Sequence, residues 1–370
     1  MALRCAALLA LAFATSTRAP SADAANGSAA EIAAGVENPI GGDSTAEDPI
    51  GEDPARAMAM PPALRARLQD EVLAGAPSQG RRFERLVRFM RASDGLAMRY
   101  GEHATQSVAD AYATRTANCV TYTLLFLAMA REAGLEARPV RIRRILSLRQ
   151  DADTLYLTSH VYAQVRVGVR EYAVDFVTAP VIARDAPESI DERQLLAHYH
   201  NNLAMRDLVA LDTASALRRM RLALRLDPTF APHWSNLGVI HLRSGDADAA
   251  GRAYAQALAR DPDEAGALFN AIGLARRLGD ARRAEALQRR LDRVQARDPF
   301  HHFLRATAHM DAGRYREAVD GYRRAIRLLR DAPEFHTALA HALTMSGDAR
   351  GASRAMARAR ALDRGHTLPR

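Results

Sequence analysis

The chain has 370 residues, 48% hydrophobic and 25% charged, which is long enough for two cores and excludes a wholly disordered or fibrous protein. Its basic side chains are all arginine, 51 against 43 acidic groups, with no lysine. The resulting charge of +8 does not titrate away, and a charge of this size spread over a surface serves solubility rather than nucleic-acid binding.

Taken in chain order, Met1 to Arg4 followed by the apolar run Cys5–Ala14 and the small residues Ala22-Asp23-Ala24 predict a secretory leader over 1–24. The apolar run is too short to span a bilayer, so no membrane span is expected. Export would place the protein in the periplasm or outside the cell and leave Cys119 as the single thiol in an oxidising compartment. A lone thiol there is either a buried, inert side chain or one kept for its chemistry. Residues 25–62 are rich in Ala, Gly, Asp and Pro and carry the near-duplication Asn38-Pro39-Ile40-Gly41 and Asp48-Pro49-Ile50-Gly51, which predicts a disordered linker.

A first folded domain is expected over 63–195. Helical spacing of Phe83, Leu86, Val87 and Met90 predicts a helix over 82–91, and a short helix is expected over 109–116. Cys119 then opens a stretch to Glu132 that is apolar almost all round, as a helix buried in a core requires, with Gly134 as its stop. Beyond Pro139 the texture becomes that of strands, over 140–148, 155–167 and 169–177. A central helix followed by antiparallel strands is an α+β pattern. If Val167-Gly168 forms a two-residue turn, residue numbers summing to 335 lie opposite each other, and His160 faces Asp175 while Val161 faces Val174 on the apolar side. A helix N-terminus favours a thiolate, and a carboxylate on one imidazole nitrogen leaves the other to serve the thiol. Cys119, His160 and Asp175 are therefore the candidate catalytic residues. Without a thiol nearby, the same cross-strand pair is an ordinary surface contact.

Over roughly 95–180 these residues resemble the transglutaminase-like superfamily, a papain-like fold. The resemblance rests on Ala117-Asn118-Cys119-Val120-Thr121-Tyr122 with Arg131-Glu132-Ala133-Gly134-Leu135-Glu136-Ala137-Arg138, on His160-Val161-Tyr162, and on Tyr172-Ala173-Val174-Asp175. It implies Cys119 as nucleophile, His160 as general base and acid, and Asp175 as the residue that orients it. The family's glycine two before the nucleophile is Ala117 here, and its tryptophan after the histidine is Tyr162.

After about residue 195 strand signals stop and a 34-residue period begins at 197, 231, 265, 299 and 333. The second unit carries Trp234, Leu237, Gly238, Gly245, Ala250, Tyr254, Ala257 and Pro262 at the tetratricopeptide positions. An all-α solenoid of five tetratricopeptide-like (TPR) repeats is expected over 197–366, which this resemblance makes a protein-binding scaffold. Asn202, Asn236 and Asn270 share repeat position 6, either as a row for a carboxylate or as consensus residues. No phosphate-binding glycine loop, zinc spacing or dinucleotide fingerprint occurs, and His198-x-His200 points two ways along a helix, so no cofactor and no metal is expected. The expected partners are a peptide or protein substrate and a protein held by the repeats, with no nucleic acid. The sequence thus reads as an exported thiol enzyme, an amide-bond hydrolase or acyltransferase. The alternative is a non-catalytic envelope scaffold on a degenerate transglutaminase-like fold.

Overall fold

The computed structural model describes residues 50–143, 148–151, 154–157, 160–175 and 186–366. The expected leader and the linker as far as residue 49 lie outside them. Two short helices come first, α1 (Pro54–Ala57) and α2 (Pro62–Arg67), and α2 runs on into a π-helical turn at Leu68–Leu73. Residues 50–62, expected to be linker, are in fact packed down: Ala57 and Met58 are buried and the Gly51 carbonyl lies 2.7 Å from His200 Nε2. The sequence hid this because three prolines and a four-residue helix leave no periodic pattern to read.

Helix α3 (Gln79–Arg91) is capped by Ser78, whose hydroxyl accepts from the Arg81 amide. The two-residue strand β1 (Arg99–Tyr100), helix α4 (Val108–Thr114) and strand β2 (Thr116–Ala117) then lead into α5 (Cys119–Glu132). Eleven consecutive residues of α5, Val120 to Ala130, are buried, as a helix apolar on all sides must be. Strands β3 (Glu136–Ile142), β4 (Leu148–Asp151), β5 (Thr154–Leu157), β6 (His160–Val167), β7 (Arg170–Val174) and β8 (Glu188–Ser189) follow. The main sheet has the order β7-β6-β3-β8 and is antiparallel. The single strand expected over 155–167 is divided, because β5 pairs with β4 in a separate hairpin.

The β6–β7 register also differs from the expectation. Val167 pairs with Arg170 and Ala163 with Val174, so the turn is Gly168-Val169, with Gly168 at φ +62° and Val169 fully exposed. Glycine takes that φ without the steric cost a valine would meet. The shift is two residues, and a slip of two preserves the faces of a strand. His160 and Asp175 therefore stay on the same side, diagonal rather than opposite.

The helical half consists of α6 (Glu192–Val209), α7 (Thr213–Leu226), α8 (Ala231–Arg243), α9 (Ala247–Arg260), α10 (Ala265–Arg277), α11 (Ala281–Ala296), α12 (Pro299–Asp311), α13 (Tyr315–Leu328), α14 (Pro333–Met345) and α15 (Ala349–His366). First and second helices of each pair recur every 34 residues from α7 and α8 onward. Helix α6 starts five residues before the repeat boundary at 197 because Asp191 and Gln194 build a capping box. The turn inside each pair needs a left-handed residue, which is Gly245, Gly279, Gly313 and Gly347, but Leu211 at φ +64° in the first unit. Gly238 is required for another reason, since a Cβ there would sit 2.4 Å from the Tyr254 ring. The asparagine row is structural: Asn236 and Asn270 are buried, donating to Asn201 and Ser235 in the first helix of the preceding pair.

One hydrophobic core runs from Ala57 through α5 and the sheet into α6–α10, ending at Leu274. The fourth and fifth pairs have cores of their own, around Phe300, Ala306, Tyr322 and Phe335. The first body is also pinned by a buried ion pair. Arg141 of β3 donates to Asp227 at 2.8 Å, with both side chains 1% exposed, and to Glu188 at 3.2 Å. Its guanidinium lies 4.1 Å from the centre of the Phe230 ring. His198 and His233 meet the same ring, with centroids 5.1 and 4.9 Å away, and contact each other at 5.2 Å.

Candidate active site

The site is built around the start of α5. Asn118 is its N-cap: Oδ1 accepts from the Thr121 amide at 3.0 Å, while Nδ2 donates to Thr105 Oγ1 at 2.5 Å. The loop 101–107 is bound to this cap, with the Gly101 amide donating to the Ala117 carbonyl, the Asn118 amide to Ala104, and the Gln106 amide to Thr121 Oγ1. Gln106 Nε2 donates to the Thr116 carbonyl at 2.7 Å. Ala117 is fully buried in the β1–β2 pair and is not among the residues with positive φ. The backbone there makes no demand for the family's glycine.

Cys119 is a free, partly buried thiol at the first position of α5. Strand β6 packs on α5, and Thr123 Oγ1 ties the two, donating to the Cys119 carbonyl at 2.8 Å and reaching the Val161 carbonyl at 3.5 Å. That brings His160, 5% exposed at the start of β6, to the thiol. Its Nε2 lies 2.5 Å from Asp175 Oδ2, which leaves Nδ1 as the ring nitrogen not engaged by that carboxylate. Burial is the largest single influence on the imidazole and lowers its pKa. Hydrogen bonding and charge from Asp175 and Cys119 together outweigh it and raise the pKa to about 9. The three residues singled out from the sequence are thus gathered at one place.

Further groups frame them. Arg91 of α3 donates to the Asp175 carbonyl at 2.7 Å. Tyr122 is buried below, its hydroxyl pKa raised by burial against the opposing pull of Arg91. Tyr162 stacks on His160 with ring centroids 6.4 Å apart. Tyr100, half exposed on β1 and paired with Ala117 of β2, has its pKa raised mainly by burial. An open groove of about 500 Å³ on α3, lined by Phe83, Val87, Arg88 and Arg91, adjoins the Asp175 end. Sequence reasoning missed Tyr100, Arg91 and Gln106. Only Asn118 left a signal, an N-cap residue before an apolar run. His198 and His200 are structural, buried against the Phe230 ring and against Gly51 respectively.

An α+β cysteine fold joined to a helix-pair solenoid is the class this architecture defines. The family model of the transglutaminase-like superfamily matches residues 66–175, and that of the tetratricopeptide repeat matches 232–264. The chain therefore carries a transglutaminase-like domain followed by tetratricopeptide repeats. No curated protein matches it. Among solved structures it is similar to MamA 41-end from Desulfovibrio magneticus RS-1 at 16% identity, covering 46% of this chain and 97% of that one with a TM-score of 0.26. It is also similar to YrrB, described as a TPR protein with an unusual peptide-binding site, at 15% identity, covering 46% and 88% with a TM-score of 0.25. Among the described residues no helix is long and apolar enough to cross a membrane.

Proposed function

We propose that the protein is an exported thiol enzyme that opens amide bonds of peptides or proteins through an acyl-enzyme. The observation that carries this reading is the buried imidazole held by Asp175 on Nε2 and perturbed by Cys119. In the reaction the Cys119 sulfur attacks the amide carbonyl, the tetrahedral oxyanion collapses, and the leaving nitrogen takes its proton from His160. The thioester is then resolved by water, whose proton returns to His160. The Asn118 cap occupies the Thr121 amide, and the amides of Cys119 and Val120 are the candidate oxyanion donors. The α3 groove beside Asp175 is the candidate seat of the acyl donor. Hydrolysis is the simpler outcome, since transfer needs an amine to outcompete water. A chain without lysine offers no side-chain amine of its own.

Alkylation by iodoacetamide at pH 6 tests the reading. The wild type is expected to react at least tenfold faster than His160→Ala, about 1.4 kcal/mol of activation, and Cys119→Ser not at all. Equal rates in wild type and His160→Ala would leave the scaffold alternative standing.

A further inference from the structure

The positive charge is not spread evenly over the chain. Residues 276–370 hold 21 of the 51 basic residues and only 11 of the 43 acidic ones, so this C-terminal quarter carries more than the whole excess of +8. The remaining three quarters are close to neutral. A solubility charge would not be segregated in this way.

Within that quarter the arginines fall in register with the repeat. Arg282, Arg316 and Arg350 occupy the second position of α11, α13 and α15, each 34 residues from the next. The equivalent residues of the first two repeats are Ala214 and Asp248. Two and three helical turns further on, Arg289 and Arg293 in α11 and Arg323 and Arg327 in α13 continue the same face. It is the side opposite Ala284 and Leu291, or Ala318 and Ala325, which are buried. All these arginines are exposed.

A second column in the same register shows what a structural arginine does here. Arg290 donates to the Pro262 carbonyl of the preceding repeat, and Arg358 pairs with Asp331 at 3.6 Å. Arg282, Arg316, Arg350, Arg293, Arg323 and Arg327 form no such bond to any described residue. Arginines of the first body are bonded to neighbouring groups, as with Arg67 to Glu71, Arg82 to the Ala76 carbonyl and Arg138 to Gln164 and Glu171.

We propose that the outer face of α11, α13 and α15 is a docking surface for an acidic polypeptide segment in extended conformation, laid across the arginine column. Each repeat adds one guanidinium to the column, and a carboxylate that meets it as a bidentate pair gives register as well as attraction. The surface stands whether or not Cys119 turns over.

The test is fluorescence anisotropy of a labelled peptide with glutamate at every third position, at about 100 mM salt, where charges more than about 10 Å apart are screened. The full chain is expected to bind it, and the triple variant Arg282→Gln, Arg316→Gln, Arg350→Gln to bind at least tenfold more weakly. A second triple variant, Arg81→Gln, Arg170→Gln, Arg252→Gln, removes the same charge elsewhere and is expected to bind within twofold of wild type. Three outcomes overturn the proposal: no binding of the peptide, equal loss in both triple variants, or tighter binding of single-stranded DNA or of phosphatidylglycerol vesicles than of the peptide.

Discussion

Helices α8 and α12 hold the same place in their repeats, yet nine residues of α8 are buried and only three of α12. The difference lies in what covers them. Helices α8 and α10 have the β5 backbone against them and share a core with α5 and the sheet. The fourth and fifth pairs pack mainly on each other, around Phe300 and Phe335, with α12 touching α11. The same 34-residue unit therefore serves as an integral part of the thiol domain at one end and as a separate module at the other. This contrast extends to the charges: Arg67, Arg82 and Arg138 of the first body are bonded to neighbouring groups, while Arg316, Arg323, Arg327 and Arg350 of the second face solvent.

The contrast breaks first at the buried Arg141–Asp227 pair. Arg141→Ala would leave Asp227 buried without its partner, a loss of about 3–5 kcal/mol. In urea the early transition should move to lower denaturant, while the unfolding of repeats four and five, followed by hydrogen exchange in α13 and α14, stays in place. A common shift of both would mean that the two bodies are one cooperative unit. Gly238→Ala is the next largest change, forcing a methyl into the Tyr254 ring for about 1–3 kcal/mol, and it too should act on the first body alone.

Two histidines give the first body opposite pH flanks. His160 has a folded pKa near 9, above the ordinary value of about 6.5, so its contribution is complete below pH 6.5 and is lost as pH rises through 9. Burial, with Arg141 adding to it and Asp227 opposing, lowers His233 to about 4. Its contribution is therefore present above pH 6.5 and is lost as pH falls toward 4. Melting temperature against pH should lose its alkaline slope in His160→Gln and soften on the acid side in His233→Gln. The smallest expected effect is a gain: Leu211 is 84% exposed at φ +64° where later repeats have glycine. Leu211→Gly should stabilise the first repeat by about 1 kcal/mol, read from the urea midpoint.

Much of this was legible in the residues because it is local. The 34-residue spacing of Gly245, Gly279, Gly313 and Gly347 states the solenoid, and the apolar run from Val120 states a buried helix behind the thiol. What stayed hidden depends on pairs far apart in the chain. Arg141 and Asp227 are 86 residues apart, and nothing around either marks it as the other's partner. The β6–β7 turn lies one residue beyond the expected place, which shifts the pairing by two, because Val167-Gly168 and Gly168-Val169 both suit a tight turn. The site survived the error because side chains alternate with a period of two. The charge of the last repeats was readable all along, but only once the helix faces were known did the arginines resolve into a free column and a bonded one.

The most direct test of the thiol site is an NMR titration of the His160 ring in the full chain, in wild type and in Asp175→Asn. A midpoint near 9 that falls toward the ordinary value of about 6.5 in the variant is predicted. A midpoint near 6.5 in both proteins would contradict the coupling of His160 to Asp175 and Cys119.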